Sequence, residues 1–355
     1  MTANRHLPPD LRQDQLRRGP TIPEIARTSG VGTATVDRVL NARGGVREAT
    51  RRKVLDALAK LTTPDDAGRK EGQSLQRKIA FLSDSGVSFN RSLKEAMEDY
   101  SGSHANVACT FAAIPTPEFN AIQFAQLIER TAENADGLVV VAREDLMINR
   151  AIRAVTRRGV PVVCGTTDLP GSSRIAYVGS DQASAGATAA YLMGRVIGER
   201  RGKILLVISA PYRCQEEREL GFRRVLRSEF THLDVDERVN SNDQIEHSYQ
   251  SVRKYIEEHG PPVGIYNVAA GNLGIARALH DEGLQGKVVF IGHELHELNA
   301  NSRMLLESGG MDFVVGHDLD REMALSIEVI QAHLEKKRLP GTMTKVRIYT
   351  KYSCN

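Results

Sequence analysis

From Arg77 onward the chain alternates short runs rich in Val, Ile and Leu with amphipathic stretches of helical length. The runs read RKIAFLSD, NVACTFA, GLVVVA, VPVVCG, RIAYVGSD, KILLVIS, LDVDERV, GIYNV, KVVFIGHE and MDFVVGHD. Most lack the polar-apolar alternation of a half-exposed strand, so both of their faces have to be covered, and parallel sheets flanked by helices do this. The units outnumber what one compact sheet of ordinary size holds, and the irregular stretch GTTDLPGSSR falls about midway. The expectation is an α/β body of two doubly wound lobes spanning residues 77–355, with crossovers near 166–174 and 293–320. Ligands of such sheets bind beyond the carboxyl ends of the strands, which places a cleft between the lobes.

Residues 21–62 have a different texture. Thr21 and Glu24 form a capping box, in which each side chain satisfies a backbone N–H left open at a helix start. The first helix carries Ile25 and Ala26 inward and stops at Ser29-Gly30, where glycine reaches the left-handed conformation of a tight turn. A second helix over 33–40 buries Val36, Val39 and Leu40, and a third over 48–61 presents Val54, Leu58 and Leu61 at helical spacing. Helix, short turn, helix and a closing third helix is the plan that sets its second helix in the DNA major groove. Any three-helix bundle needs similar apolar spacing, and charge distinguishes the two cases. The net charge is +3, yet residues 1–78 hold 16 Lys and Arg against 9 Asp and Glu, leaving an acidic remainder. Thr33, Ala34 and Arg38 lie outward on the second helix, and an Arg fork pairs with guanine at ~1–3 kcal/mol of discrimination. Arg43, Arg47, Arg51, Arg52 and Lys53 can neutralise phosphates without reading sequence.

The stretch TIPEIARTSGVGTATVDRVLNARGGVREATRRKVLDALAKL resembles the N-terminal domain of LacI/GalR transcription regulators. The register of E-I-A at 24–26, G-V at 30–31, T-V at 35–36 and R-V-L-N at 38–41 carries the resemblance, with weaker similarity over nearly the whole chain. It implies a small all-α helix-turn-helix domain followed by a two-lobed, periplasmic-binding-protein-like domain. It also implies that Thr33, Ala34 and Arg38 read bases while Thr21, Thr35, Asn41 and Thr50 contact the DNA backbone. Two positions depart from the family: Asp37 replaces a small polar residue, and residues 63–76 are Pro-, Gly- and acid-rich where a hinge helix is expected. Only Leu75 there could serve as a minor-groove wedge. Residues 1–20 read as a flexible basic arm.

Polar side chains gather where the strands should end. Asp84, Asn90, Arg143, Asp168, Arg218, Asn267, Asn272, Glu294 and His317 are candidate ligand contacts, and Phe89, Tyr212 or Phe222 could supply an apolar platform. Helix capping is an equally open role for Asp84, Asp168 and Asp318. By the resemblance, Arg218 matches the sugar-binding Arg of an R-x-x-G-F motif, and Glu294 stands in for a ligand-binding carboxylate. The implied protein is a dimeric, ligand-responsive regulator, with repression as the family default, binding a double-stranded, pseudo-palindromic operator. The implied effector is a sugar, polyol or sugar acid. Enzyme chemistry has no support in the motifs: no P-loop, no dinucleotide fingerprint and no nucleophile elbow occurs. No cofactor or metal is expected, and Cys109, Cys164, Cys214 and Cys354 are too scattered for a metal site. A transport receptor would share the two-lobed body but would need a secretory signal, which is absent, so the expected location is the cytoplasm, without membrane contact.

Overall fold

The computed structural model describes residues 20–41, 46–62, 76–293 and 300–354. The expected arm over 1–20, apart from Pro20, together with Arg43, the linker over 63–75 with Leu75, and Glu294 lie outside the described residues. The chain divides into two compact units, Met1–Ser74 and Leu75–Asn355.

The first unit is built from α1 (Ile22–Ser29), α2 (Thr33–Leu40) and α3 (Glu48–Thr62). At the start of α1, Glu24 Oε2 accepts both the Thr21 N–H and the Thr21 hydroxyl at 2.7 Å. Gly30, at φ 66°, ends the helix in the left-handed region as the turn requires. Ile25, Val36, Val39, Val54 and Ala57 form the core, with Leu58 and Leu61 packed against it. Leu40 is a correction to the expected core: it is 38% exposed, because the apolar stripe of so short a helix is filled by Val36 and Val39.

The second unit holds two six-stranded sheets. The first contains β1 (Arg77–Ser83), β2 (Val107–Ala113), β3 (Gly137–Val141), β4 (Val162–Gly165), β5 (Ala176–Ser180) and β11 (Met343–Thr344), in the order β11-β5-β4-β3-β1-β2. The second contains β6 (Gly202–Ile208), β7 (Leu233–Asn240), β8 (Gly264–Asn267), β9 (Val289–His293), β10 (Phe313–Gly316) and β12 (Arg347–Tyr349), in the order β12-β10-β9-β8-β6-β7. All pairings are parallel except that of β10 with β12. Helices α4 (Val87–Ser103), α5 (Ala121–Thr131) and α6 (Leu146–Arg157) cover the first sheet. Helices α7 (Gln182–Ile197), α8 (Arg213–Glu229), α9 (Ile245–His259), α10 (Asn272–Asp281) and α11 (Ala300–Glu307) surround the second.

Among the described residues the chain passes between the lobes three times, and the expected crossovers near 166–174 and 293–320 fare differently. Residues 166–174 are a loop from β4 to β5 within the first lobe, and the first crossing is at Asp181, between β5 and α7. The second lies at His317-Asp318, inside the expected 293–320 window, where the chain leaves β10 for α12 (Leu319–Leu334). There α12 returns to the first lobe, packing Met323, Ile327 and Ile330 among Phe81, Val139 and Val163. Gly137 makes room for it, since a Cβ there would lie 2.4 Å from the Ile330 side chain. The third crossing, between β11 and β12, was not foreseen, because strands of two and three residues have no readable period.

Close packing of α7 on α8 depends on two glycines. A Cβ at Gly221 would lie 1.9 Å from the Ala183 carbonyl, and one at Gly186 would lie 1.8 Å from the Arg218 carbonyl. Backbone cannot step aside as a side chain can. Helix propensity alone favours alanine at such positions by roughly 1 kcal/mol, whereas overpacking costs about 1–3 kcal/mol. Gly221→Ala and Gly186→Ala are therefore expected to lower the melting temperature, while Gly102→Ala, with nothing within 4 Å, raises it or leaves it unchanged. A rise for all three in calorimetry would show that the helices are free to separate.

Candidate functional site

On the first unit, α2 turns its Val36 and Val39 face inward, which leaves Thr33, Ala34 and Arg38 exposed, with Thr35 half-buried. Ala34 and Arg38 are one turn apart on the same face. Arg47, Arg51, Arg52 and Lys53 are exposed on and before α3, and Thr50 is half-buried. Thr21 is exposed at the start of α1. Asn41 is committed within the helix end: its amide nitrogen donates to the Asp37 carboxylate at 2.8 Å and to the Asp37 carbonyl at 3.1 Å. The unusual carboxylate at position 37 is thus met by an amide rather than left bare.

In the second unit, the strand-end loops face one another across a cleft that is largely closed. The Tyr212 hydroxyl donates to the Asp84 carbonyl at 2.7 Å, and the Thr116 hydroxyl donates to Asp243 at 2.8 Å. The Cys214 N–H donates to the Thr167 hydroxyl at 3.3 Å. Burial, then the nearby Asp84 charge, hold the Tyr212 phenol well above its ordinary pKa, so it remains a donor. A cavity of about 30 Å³ is left among residues including Phe89, Thr166, Thr167, Tyr212, Arg218 and Asp243. That admits a water or two, at roughly 10–15 Å³ each, and no sugar ring. A larger space of about 390 Å³ lies alongside, bordered by Val87, Arg91, Asp243, Asn272, His293 and Ser302, within the ~300–1,000 Å³ range of small-molecule sites.

Arg218 is the most buried of the expected cations, at 2% exposure. Its Nε donates to Gln182 Oε1 at 2.8 Å and its Nη1 to the Val268 carbonyl at 3.0 Å. Asp84 and Arg143 form an ion pair at 2.9 Å, and the Arg143 guanidinium lies 3.6 Å from the Phe119 ring centroid and 5.2 Å from that of Tyr212. Burial raises the Asp84 pKa, opposed by the Arg143 charge and its hydrogen bonds. His293 donates to or accepts from the Tyr266 hydroxyl at 2.7 Å, and burial, then Arg218 and His317, hold it well below its ordinary pKa and therefore neutral.

The expected contacts separate into groups. Phe89 and Arg218 line the small cavity, and Asn272 the larger one. Asn90, Asn267 and His317 stand behind these walls: Asn90 donates to the Ser85 carbonyl, Asn267 to Asn272, and His317 approaches Glu322 at 2.9 Å. Asp168 is not brought to the cleft. It makes a two-point ion pair with Arg174, six residues on, which ties the β4–β5 loop together. Neither Asp84 nor Asp168 caps a helix, since Gly86 is the N-cap of α4, whereas Asp318 does cap α12. Phe222 stacks on Tyr266 in the second lobe's core, centroids 4.3 Å apart, and offers no platform.

Asp243, Gln182, Thr116 and Phe119 escaped the sequence reading. For Asp243 a signal existed: the polar run Ser241-Asn242-Asp243 directly follows β7, and Asn242 and Asp243 take φ values of 48° and 54°, a conformation Asn and Asp tolerate best after glycine. Among the described residues, no group of three His, Cys, Asp or Glu could hold a metal ion, and no helix is long and apolar enough to cross a membrane. All four cysteines are free, and burial pushes the Cys109 thiol up to about 11 and the Cys164 thiol up to about 12.

Two family descriptions match the chain: "Bacterial regulatory proteins, lacI family" over residues 21–62 and "Periplasmic binding protein domain" over 79–338. No curated protein matches. Solved structures share the fold of the second unit. One is a solute-binding protein of an ABC transporter from Actinobacillus succinogenes 130z with bound D-allose, 17% identical, with a TM-score of 0.70, covering 78% of this chain and 99% of that one. Another, from Burkholderia graminis C4D1M in complex with D-arabinose, is 18% identical at a TM-score of 0.70, covering 79% and 97%. A third, the glucose-galactose binding protein GanP from Geobacillus stearothermophilus, is 17% identical at 0.70, covering 78% and 98%.

The Asp84–Arg143 pair yields a test with a sign. Removing one partner of a buried ion pair leaves an uncompensated charge, at about 3–5 kcal/mol. A carboxyl whose folded pKa is raised stabilises below its unfolded pKa and loses that contribution as pH rises through the folded pKa. Arg143→Met is therefore expected to cost most at pH 8 and less as the pH is lowered toward 5 and Asp84 moves toward its protonated form. Equal losses in urea melts at the two pH values would acquit Asp84.

Proposed function

The chain belongs to the periplasmic binding protein domain family and bears the N-terminal domain of the lacI family of bacterial regulatory proteins, and from that premise we propose a sugar-responsive repressor that binds operator DNA as a homodimer. The matched families are regulatory and binding proteins rather than enzymes. The observation that carries the reading is the coexistence of an exposed Thr33-Ala34-Arg38 face on α2 with a two-lobed cleft that buries Arg218. Two copies would present two α2 helices to the half-sites of a pseudo-palindrome, so protein symmetry would match operator symmetry. Arg38 and its neighbours on α2 would read bases, and Arg47, Arg51, Arg52 and Lys53 would meet phosphates.

The effector would be a sugar, polyol or sugar acid held between the lobes, in a cytoplasmic protein. Arg218 would hydrogen-bond its oxygens and Phe89 would back its apolar face, with Asp84, Arg143, Asn90, Asn267, Asn272 and His317 framing the site. The bound sugars of the fold neighbours, D-allose and D-arabinose, support that class. Ligand shifts the balance between DNA-competent and incompetent forms by no more than its differential affinity for them.

The operator is obtainable by selection from random duplexes with the full-length protein. On that duplex Arg38→Ala should relax base preference by about 1–3 kcal/mol, whereas Arg51→Ala should weaken all duplexes alike and reduce the salt slope by roughly 1. A chain lacking residues 1–62 that holds the selected duplex as tightly as the whole protein overturns the DNA reading. A thermal-shift screen over sugars, polyols and sugar acids identifies the effector, and Arg218→Ala should abolish the shift. An unchanged shift removes Arg218 from the site.

A further inference from the structure

Among the described residues the chain crosses between lobes three times, and one carboxylate is linked to all three crossings. Glu322, in the first turn of α12, is 2% exposed. Its Oε2 lies 2.9 Å from Nδ1 of His317, the residue at the second crossing. Its Oε1 accepts the hydroxyl of Thr344, where the chain leaves β11 for the third, at 2.9 Å. Oε2 also accepts the Thr166 hydroxyl at 3.1 Å. Thr166 in turn reaches the first crossing, since its carbonyl accepts Gln182 Nε2 at 3.0 Å. The other end of the Gln182 amide, Oε1, accepts Arg218 Nε at 2.8 Å.

Thr166 adopts φ 58°, a conformation that a β-branched residue does not choose for itself. It is fixed from three sides: its N–H donates to the Val178 carbonyl at 2.9 Å, its hydroxyl to Glu322 and its carbonyl accepts from Gln182. Backbone strain of this kind persists only where the surroundings over-determine it. Glu322, Thr166, Gln182 and His317 are buried and Thr344 half-buried at the crossings, and the links through Gln182 and His317 run from one lobe to the other, so a change of lobe angle bears on them.

We infer that Glu322 is the pin of the interlobe hinge, and that Thr166 and Gln182 transmit its arrangement to the guanidinium of Arg218, so lobe angle and cleft geometry are set together. Glu322, Thr166 and Gln182 are positioning residues in this scheme, because they act through Arg218. The cleft end of the network rests on the reading of Arg218 as the ligand-contacting cation; the hinge end does not. The test therefore reads the hinge without ligand.

Spin labels on Arg150→Cys in α6 and Lys254→Cys in α9, with Cys109→Ser, report the distance between lobes in the full chain, diluted with unlabelled chain. The parent should show one dominant distance. Glu322→Gln, Thr166→Val and Gln182→Leu should each raise the population at a second distance by roughly five- to tenfold, the scale of losing one intramolecular hydrogen bond. Pairwise combinations should add little to the singles, because one network is broken once. A parental distribution in all three, or effects that simply add, overturns the inference. Circular dichroism checks the fold of each variant. Should Glu322→Gln unfold, the other two test the same expectation with the carboxylate in place, and unfolding of all three makes the network a folding element and refutes the hinge role. Arg218→Ala that abolishes the effector's thermal shift while these variants keep the parental distance upholds the ligand reading and rejects this one.

Discussion

A guanidinium can be buried only if its donors find acceptors, and in this protein that requirement organises the cleft. Arg218, at 2% exposure, is met by a side chain from the first lobe crossing and by a carbonyl at the end of β8. Bringing both acceptors within 3.0 Å demands that α8 lie close against α7. The contact is backbone to backbone at Gly186 and Gly221, and the glycine three residues after the arginine is what permits it. The R-x-x-G-F pattern thus has a mechanical meaning: the arginine supplies the charge, the glycine sets the helix spacing, and Phe222 anchors the helix by stacking on Tyr266.

Local periodicity made most of the second unit legible in the sequence. Apolar runs such as GLVVVA and KILLVIS are buried strands because their stretches LVVV and ILLV have no side that could face water, and the structure places β3 and β6 there, with Lys203 at the exposed start of β6. The positions of the crossings were not legible, because they are decided by which sheet a helix covers. Nothing local in LDREMALSIEVIQAHL says that α12 packs back onto the first lobe; that follows from its fit against Phe81 and Val139 and the space at Gly137. Asp168 shows the same limit at the level of one side chain. A carboxylate in a strand-end loop reads as a ligand contact, yet Arg174 six residues on captures it more cheaply than a distant cleft could.

In the first unit the three helices were readable almost to the residue, since a turn glycine, a capping pair and a narrow apolar stripe each leave a local mark. The exception is instructive. Leu40 reads as core by type, but eight residues of helix provide an inward face only for Val36 and Val39, and the end of α2 leaves Leu40 at the surface. The Asp37 carboxylate accepts a hydrogen bond from the Asn41 amide, which spends on the helix end a group that the family pattern assigns to DNA.

The closed lobes also explain how a cleft can be a switch rather than a container. Tyr212, Asp243 and Cys214 of the second lobe meet Asp84, Thr116 and Thr167 of the first, so closure already has its own hydrogen bonds before any ligand enters. With about 30 Å³ remaining beside Arg218, a ring-sized ligand must either displace some of these bonds or use the adjoining space of about 390 Å³. In the first case ligand and cross-lobe bonds compete for the same partners, and binding favours a wider lobe angle; in the second, binding adds contacts to the arrangement already present. Since a ligand moves an equilibrium only by its differential affinity, the sign of the response depends on which space it fills. In the proposed regulator the cross-lobe bonds, and not the ligand alone, would therefore set which way the response goes.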